Sequence, residues 1–353
     1  MKTKGKLTRR SLLVAGSAGL SALAMPAIIR AQTKRKIVVR DLGIGSSFMD
    51  AYGRPFTEAT GIEVQPVTGA NDPFGQIKQM VQTRTYTWDM SIVSRQIANQ
   101  LAADGAGYLE PLNIDAAPGW KALPDMFRSP VYAGNDVVAT VLGYRTDTVK
   151  TPPKSWADFF DTKKIPGRRA MRRSPVDTLE QALLADGVSG DKLFPLDFDR
   201  GFRKLDAVRK DIGVWWTSGA QSTQLLQSGE VDMCPTWNGR AQAAIKSGAP
   251  VAIMWNQSLW QSEGWVILKG GPNADLCREF IKFALAPERQ AVFAAATGYG
   301  PTIPDAVSKM DPAVAKTLPT HPDNRAGAIL VDVDFWTQTR EVATERFNRW
   351  VVG

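Results

Sequence analysis

Apolar and polar positions along the early chain switch between two periods. Residues 36–41, 62–69 and 88–94 are short runs dense in Ile, Val and Met, and such runs predict strands. Residues 49–60, 74–84 and 95–105 carry apolar side chains at helical spacing. Gly61 and Gly105 close the first and last of these helices. Residues 43–48, GIGSSF, read as a turn. Strand alternating with helix predicts a parallel sheet covered by helices on both faces. Ligands of such sheets collect beyond the carboxyl ends of the strands, which puts residues 43–48 and 94–96 at a candidate site.

The rhythm then changes. Residues 136–147, DVVATVLGYRTD, form a long run of strand character, suited to carrying the chain from one lobe to another. A second region of mixed strand and helix spans about 150–250. Within it Val231, Asp232, Met233 and Cys234 read as a short strand. Trp237, Asn238 and Arg240 sit together at its exit, before a helical stretch. Residues 251–268 are again strand-rich and suited to a return crossing. Helices are predicted over 272–286 and 287–298, and the tail 335–352 reads as an amphipathic helix.

Charge changes this picture at one end only. The chain of 353 residues carries a net charge of +8, and six of those charges (Lys2, Lys4, Lys6, Arg9, Arg10, Arg30) fall within residues 1–31, which hold no acid. The remainder is near +2, so a nucleic-acid partner is not expected. The basic start, the pair Arg9-Arg10 and the interrupted apolar run after it read as a twin-arginine type of export signal, with a cut after Ala31 that leaves Gln32 first. The two cysteines, Cys234 and Cys277, leave a disulfide and two buried thiols equally open. His321 is the single histidine, which disfavours a Ser-His-Asp triad and a multi-histidine zinc site. No phosphate-binding glycine loop and no paired tyrosines for a ferric ion occur, and neither a cofactor nor a metal is expected.

Several stretches together resemble the solute-binding proteins of ABC transporters, of the spermidine/putrescine-binding type. They are FTEATGIEV (56–64), WDMSIVS (88–94), VLGYRTD (141–147), GEVDMCPTWNGRAQAA (229–244) and the late helices followed by Gly298-Tyr299-Gly300. The resemblance implies an α/β, two-lobed periplasmic binding protein of type II, its cleft between lobes joined by crossing strands. Residues 32–143 with 262–310 would form one lobe, and 144–261 with 311–353 the other. It implies a monomer in the periplasm that closes on a small amine or amino acid by a hinge motion, catalyses nothing, and presents the closed form to an inner-membrane permease.

The same resemblance nominates cleft residues. Trp237, Trp260 and Tyr299 fall at aromatic positions of the family, and aromatic walls suit an alkyl chain and an ammonium. Ser46, Ser47 and Phe48 stand where polyamine binders carry aromatic and acidic residues. Glu263 stands near a family acid, and Asp177 with Glu180 resembles a family Asp-x-x-Glu, although acids also suit a helix start. Arg240 departs from the pattern, which has a small residue there. An arginine facing a dication costs affinity, whereas one facing a carboxylate forms a forked, charge-assisted pair. Arg95 is a second candidate for that role, with Gln96 beside it as an amide donor. If Arg240 enters the cleft, the ligand is a short zwitterion such as γ-aminobutyrate (GABA), as in some relatives. If it turns to solvent, a polyamine is the alternative.

Overall fold

The computed structural model describes residues 35–353 except 42, 70–72 and 106. The export-signal reading of residues 1–31 lies outside the described residues. One mixed sheet organises the chain. Its strands are β1 (Lys36–Asp41), β2 (Glu63–Thr68), β3 (Met90–Ser94), β4 (Arg128–Ser129), β5 (Tyr132–Arg145), β6 (Arg169–Arg172), β7 (Ile212–Trp216), β8 (Met233–Trp237), β9 (Val251–Ile267), β10 (Gly300–Pro301) and β11 (Ile329–Leu330). The main order is β2-β1-β3-β9-β5-β8-β6-β7. β1 pairs in parallel with β2 and β3, and β6 pairs in parallel with β7 and β8. The long strands β5 and β9 run antiparallel between these two parallel blocks.

β5 and β9 are the two crossings. Their ladder slips at one place: Thr140 faces Leu259, but Leu142 faces Met254. The buried apolar residues change partners at the same place. Those up to Val141 on β5 and from Trp260 on β9 pack with β1, β3 and the late helices. Those from Leu142 on β5 and up to Leu259 on β9 pack with the helices Pro175–Ala185, Phe198–Val208 and Val333–Val352. A break in the ladder shared with a break in the core is where two packed halves bend most cheaply.

The structure corrects two local expectations. The strand read over 231–234 is β8, Met233–Trp237, so the ladder continues through Pro235 opposite Leu142. Proline is tolerated because β6 pairs β8 only at Met233, and the Pro235 carbonyl, on the same side of the strand as its nitrogen, accepts Trp216 Nε1 at 3.1 Å. The GIGSSF turn gives way to helix at Ser46, with the Asp41 carboxylate accepting from the Gly43 and Gly45 amides. Cys234 and Cys277 are both buried free thiols. Among the described residues no helix is long and apolar enough to cross a membrane, and no cluster of metal-ligating side chains occurs.

Candidate functional site

A cavity of about 160 Å³ lies where the carboxyl ends of β1, β3, β6 and β8 meet β9. Arg40, Ser94, Gln96 and Tyr299 reach it from one side, Arg172 and Arg340 from the other, and Gln261 and Glu263 line it from β9. Trp237 and Arg240 line it from the end of β8 and the helix that follows, Asn238–Lys246.

The stretch Trp237-Asn238-Gly239-Arg240 divides the labour of building this wall. Buried Asn238 accepts from the Ala139 amide of β5 at 3.0 Å and donates to the Gly298 carbonyl at 2.6 Å. It thereby ties the crossing strand to the loop that carries Tyr299. Gly298 closes the helix Pro287–Thr297 with a left-handed φ of 78°, which turns the chain toward the cavity. Gly239 must lack a side chain, because a Cβ there would stand 2.6 Å from both the Thr297 carbonyl and the Tyr299 ring. Gly219 does the same behind Trp237 and Arg240, where a Cβ would lie 2.6 Å from Arg240 Nε and 2.9 Å from the Trp237 ring.

Electrostatics divide the cavity. Among the described residues Glu263 is the one carboxylate that lines it, together with the guanidiniums of Arg40, Arg172, Arg240 and Arg340. Burial pushes Glu263 up to about 7 against the pull of Arg240, Arg172 and Arg40. Arg172 is already paired, donating to Asp177 at 2.7 Å, and it stacks 5.0 Å from the Trp237 ring. Arg40 donates to the Gly69 carbonyl at 2.9 Å. Arg240 reaches the Tyr299 hydroxyl, yet its buried Nε meets no acceptor. A buried donor without an acceptor is expensive; Nε is sealed against Gly219, so Arg240 meets the cavity through the rest of its guanidinium. Burial raises the Tyr299 hydroxyl and keeps it neutral. Trp237 adds a half-buried indole, its edge against Trp216 at 5.6 Å.

The nominated residues divide between this cavity and other places. Trp237, Arg240, Glu263, Tyr299 and Gln96 line it together, and Gln96 also donates to the Trp336 carbonyl at 3.2 Å. Ser46 and Ser47 do not line it. Phe48 is fully buried among Tyr52, Trp265 and Phe280, with centroids 6.1–6.2 Å away. It stands one helical step past the serines and so faces inward. Trp260 points away because side chains alternate along β9: Glu263 faces the cavity, Trp260 and Ser262 line a separate groove, and Gln261 borders both. Trp260 packs there on Phe127 and under Arg325. Arg95 lines the same groove, its guanidinium 4.8 Å from the Tyr132 ring. Asp177 is fully buried in a left-handed conformation, φ 70°, and meets the cavity only through Arg172. Glu180 accepts from Trp336 Nε1 at 2.6 Å, and burial followed by Asp177 pushes it up to about 8.

Arg40, Arg172, Arg340 and Gln261 were not nominated from the sequence, and Ser94 only as part of residues 94–96 at the end of its strand. Arg40 and Arg172 lie at the ends of β1 and β6; the strand-end rule had pointed to residues 43–48 beyond β1, and nothing in the pattern marked β6. Arg340 carries no local signal: it is one of three arginines on a long amphipathic helix.

Residues 51–321 match the family described as bacterial extracellular solute-binding protein. The chain is 36% identical over 340 residues to the γ-aminobutyric acid-binding protein of Pseudomonas aeruginosa, covering 94% of this chain and 95% of that one. It is 24% identical over 284 residues to the spermidine/putrescine-binding periplasmic protein of Escherichia coli, covering 76% and 78%. Among solved structures, an ABC transporter substrate-binding protein from Bradyrhizobium japonicum superposes with a TM-score of 0.84 at 37% identity, over 90% of this chain and 99% of that one. A structure described as a GABA receptor superposes with a TM-score of 0.81 at 36% identity, over 90% and 98%.

Proposed function

Because the chain belongs to the bacterial extracellular solute-binding proteins, and so to the substrate-binding components of ABC transporters, we propose that it captures a short zwitterion of the GABA type. The observation that carries this is the Arg240 guanidinium lining the same small cavity as Glu263. Arg240 takes the carboxylate as a forked pair. Glu263 takes the ammonium, Trp237 walls the methylenes between them, and Tyr299 and Gln96 donate or accept at the sides. The likeness to GABA-binding relatives over nearly the whole chain supports this reading.

The solute is exchanged, not transformed. Contacts from both halves of the core bias a hinge at β5 and β9 toward closure, and the closed monomer is what the membrane permease meets. Residues 32–143 with 262–310, and 144–261 with 311–353, are the two moving lobes, delivered by the export signal of residues 1–31.

A polyamine is favoured less. Of the three acids it would need, Asp177 is held by Arg172 and Glu180 by Trp336, and a second ammonium would meet Arg240. A thermal-shift panel on the chain lacking residues 1–31 tests the reading. GABA at about 100 times its Kd adds about 2.7 kcal/mol and raises the melting temperature by several degrees, whereas putrescine leaves it unchanged. A shift with putrescine alone overturns the proposal.

A further inference from the structure

Directly across the β5–β9 ladder from Glu263 stands a second carboxyl, Asp136. Direct cross-strand partners share a face, with Cβ atoms roughly 5 Å apart. Asp136 is 1% exposed. Its Oδ2 accepts from Asn135 Nδ2 at 2.7 Å, and Asn135 in turn accepts from the Tyr52 hydroxyl at 2.7 Å. Its Oδ1 is buried and has no partner. No cation touches Asp136 among the described ion pairs, while Glu263 faces the cavity. Two carboxyls this close in a dry place do not both ionise.

From this geometry we propose that Asp136 is a positioning residue for solute capture: with Glu263 it holds one shared proton in the empty cavity, and the arriving ammonium expels that proton to solvent. The inference rests on the reading of Glu263 as the ammonium partner. The groups facing Glu263 are the guanidiniums of Arg40 on β1, Arg172 on β6, Arg240 on the helix after β8 and Arg340 on the C-terminal helix, with the hydroxyls of Tyr132 on β5 and Tyr299. β3 contributes the uncharged Ser94. The guanidiniums pull Glu263 toward ionisation. Burial raises both carboxyls, and Glu263 raises Asp136 further, a repulsion that by its nature acts both ways. A proton held against the pull of three arginines is a reserve that only a better cation displaces, so capture and proton release become one event. The pair behaves as a unit with shared titration steps.

The test uses the chain from residue 32 onward and calorimetric titration with GABA, in buffers of different ionisation enthalpy, between pH 6 and pH 8. The expected result is release of roughly half a proton or more per GABA near neutral pH, with affinity weakening as pH falls. Asp136→Asn keeps the acceptor for Asn135 but removes the second acid, so release shifts to lower pH and falls well below half at pH 7. A wild-type titration that binds GABA without buffer-dependent heat overturns the inference and leaves the ligand reading standing. So does an Asp136→Asn curve identical to wild type. Absence of GABA binding in every buffer overturns the ligand reading itself. Melting of the empty protein adds a readout free of ligand. Because both folded carboxyls titrate above their unfolded values, their stabilisation is full at low pH and is lost as pH rises through neutrality. Glu263→Gln or Asp136→Asn flattens part of that fall, and an unflattened fall in both variants overturns the shared proton.

Discussion

Arg240→Ala is the most direct perturbation of the proposed site. The side chain brings its charge to the cavity, reaches Tyr299, and leaves Nε without an acceptor. Removing it leaves the solute carboxylate desolvated on one side, and truncating one partner of such a pair costs about 2–5 kcal/mol. The other guanidiniums soften this loss. Arg172 is engaged with Asp177 and Arg40 with Gly69, but their fields remain. The expected cost is therefore at the lower end, about 2–3 kcal/mol, or roughly 30- to 150-fold in Kd. Isothermal titration with GABA reads this directly. Arg240→Lys separates charge from fork geometry, because a lysine restores a point charge without the two parallel donors, and it should recover only part of the loss. The melting temperature of the empty variant should change little, since the half-buried side chain lies against Gly219 and the Tyr299 hydroxyl. Binding by Arg240→Ala within twofold of wild type, in a protein that melts normally, would refute the carboxylate clamp.

Gly219→Ala should weaken GABA binding by roughly tenfold with little change in melting, because the new methyl displaces Arg240 and Trp237 together; unchanged affinity would show that neither position matters. Phe48→Ala should destabilise by about 3–5 kcal/mol in denaturant titration and leave Kd unchanged, since Phe48 fills the aromatic core; an affinity loss in the folded variant would bring Phe48 back to the solute. Glu180→Gln should gain stability relative to wild type as pH rises. Glu180 titrates near 8 when folded, so its contribution is full below the unfolded carboxylate range and is lost on the way up to pH 8, on the order of 2–5 kcal/mol. Parallel melting curves from pH 5 to pH 8 would contradict that environment.

Much of the scaffold was legible from hydrophobic period alone. β1, β2, β3 and the helices between them fall where the pattern put them, and the long runs at 136–147 and 251–268 are the two crossings. The site was legible where a motif does several jobs at once, as in Trp237-Asn238-Gly239-Arg240. It was illegible where the deciding fact is direction. Nothing local distinguishes Phe48 from an aromatic facing solvent, because one helical step separates the two. Trp260 and Glu263 lie three residues apart on one strand, and odd spacing puts them on opposite faces. Asp136 was hidden because its partner is 127 positions away, brought opposite only by the register of β5 against β9. Arg172 became part of the cavity through a buried Asp177 whose backbone conformation no residue pattern announces.

The placement of charge also bears on selectivity, which is a difference between affinities. GABA and putrescine share an ammonium and a short apolar chain, and they differ in what the far end offers to Arg240. In the proposed site, that end of GABA pairs with the Arg240 guanidinium. The same end of putrescine would bring a like charge to it, so in this reading a single residue both rewards one ligand and penalises the other. The swing is roughly several kcal/mol and needs no change in cavity shape. At the near end Glu263 does not discriminate, because both solutes present the same cation. Arg240→Ala should therefore lower the affinity for GABA and raise that for putrescine, and a variant that loses both would mean that Arg240 serves closure of the two halves and not the choice of ligand.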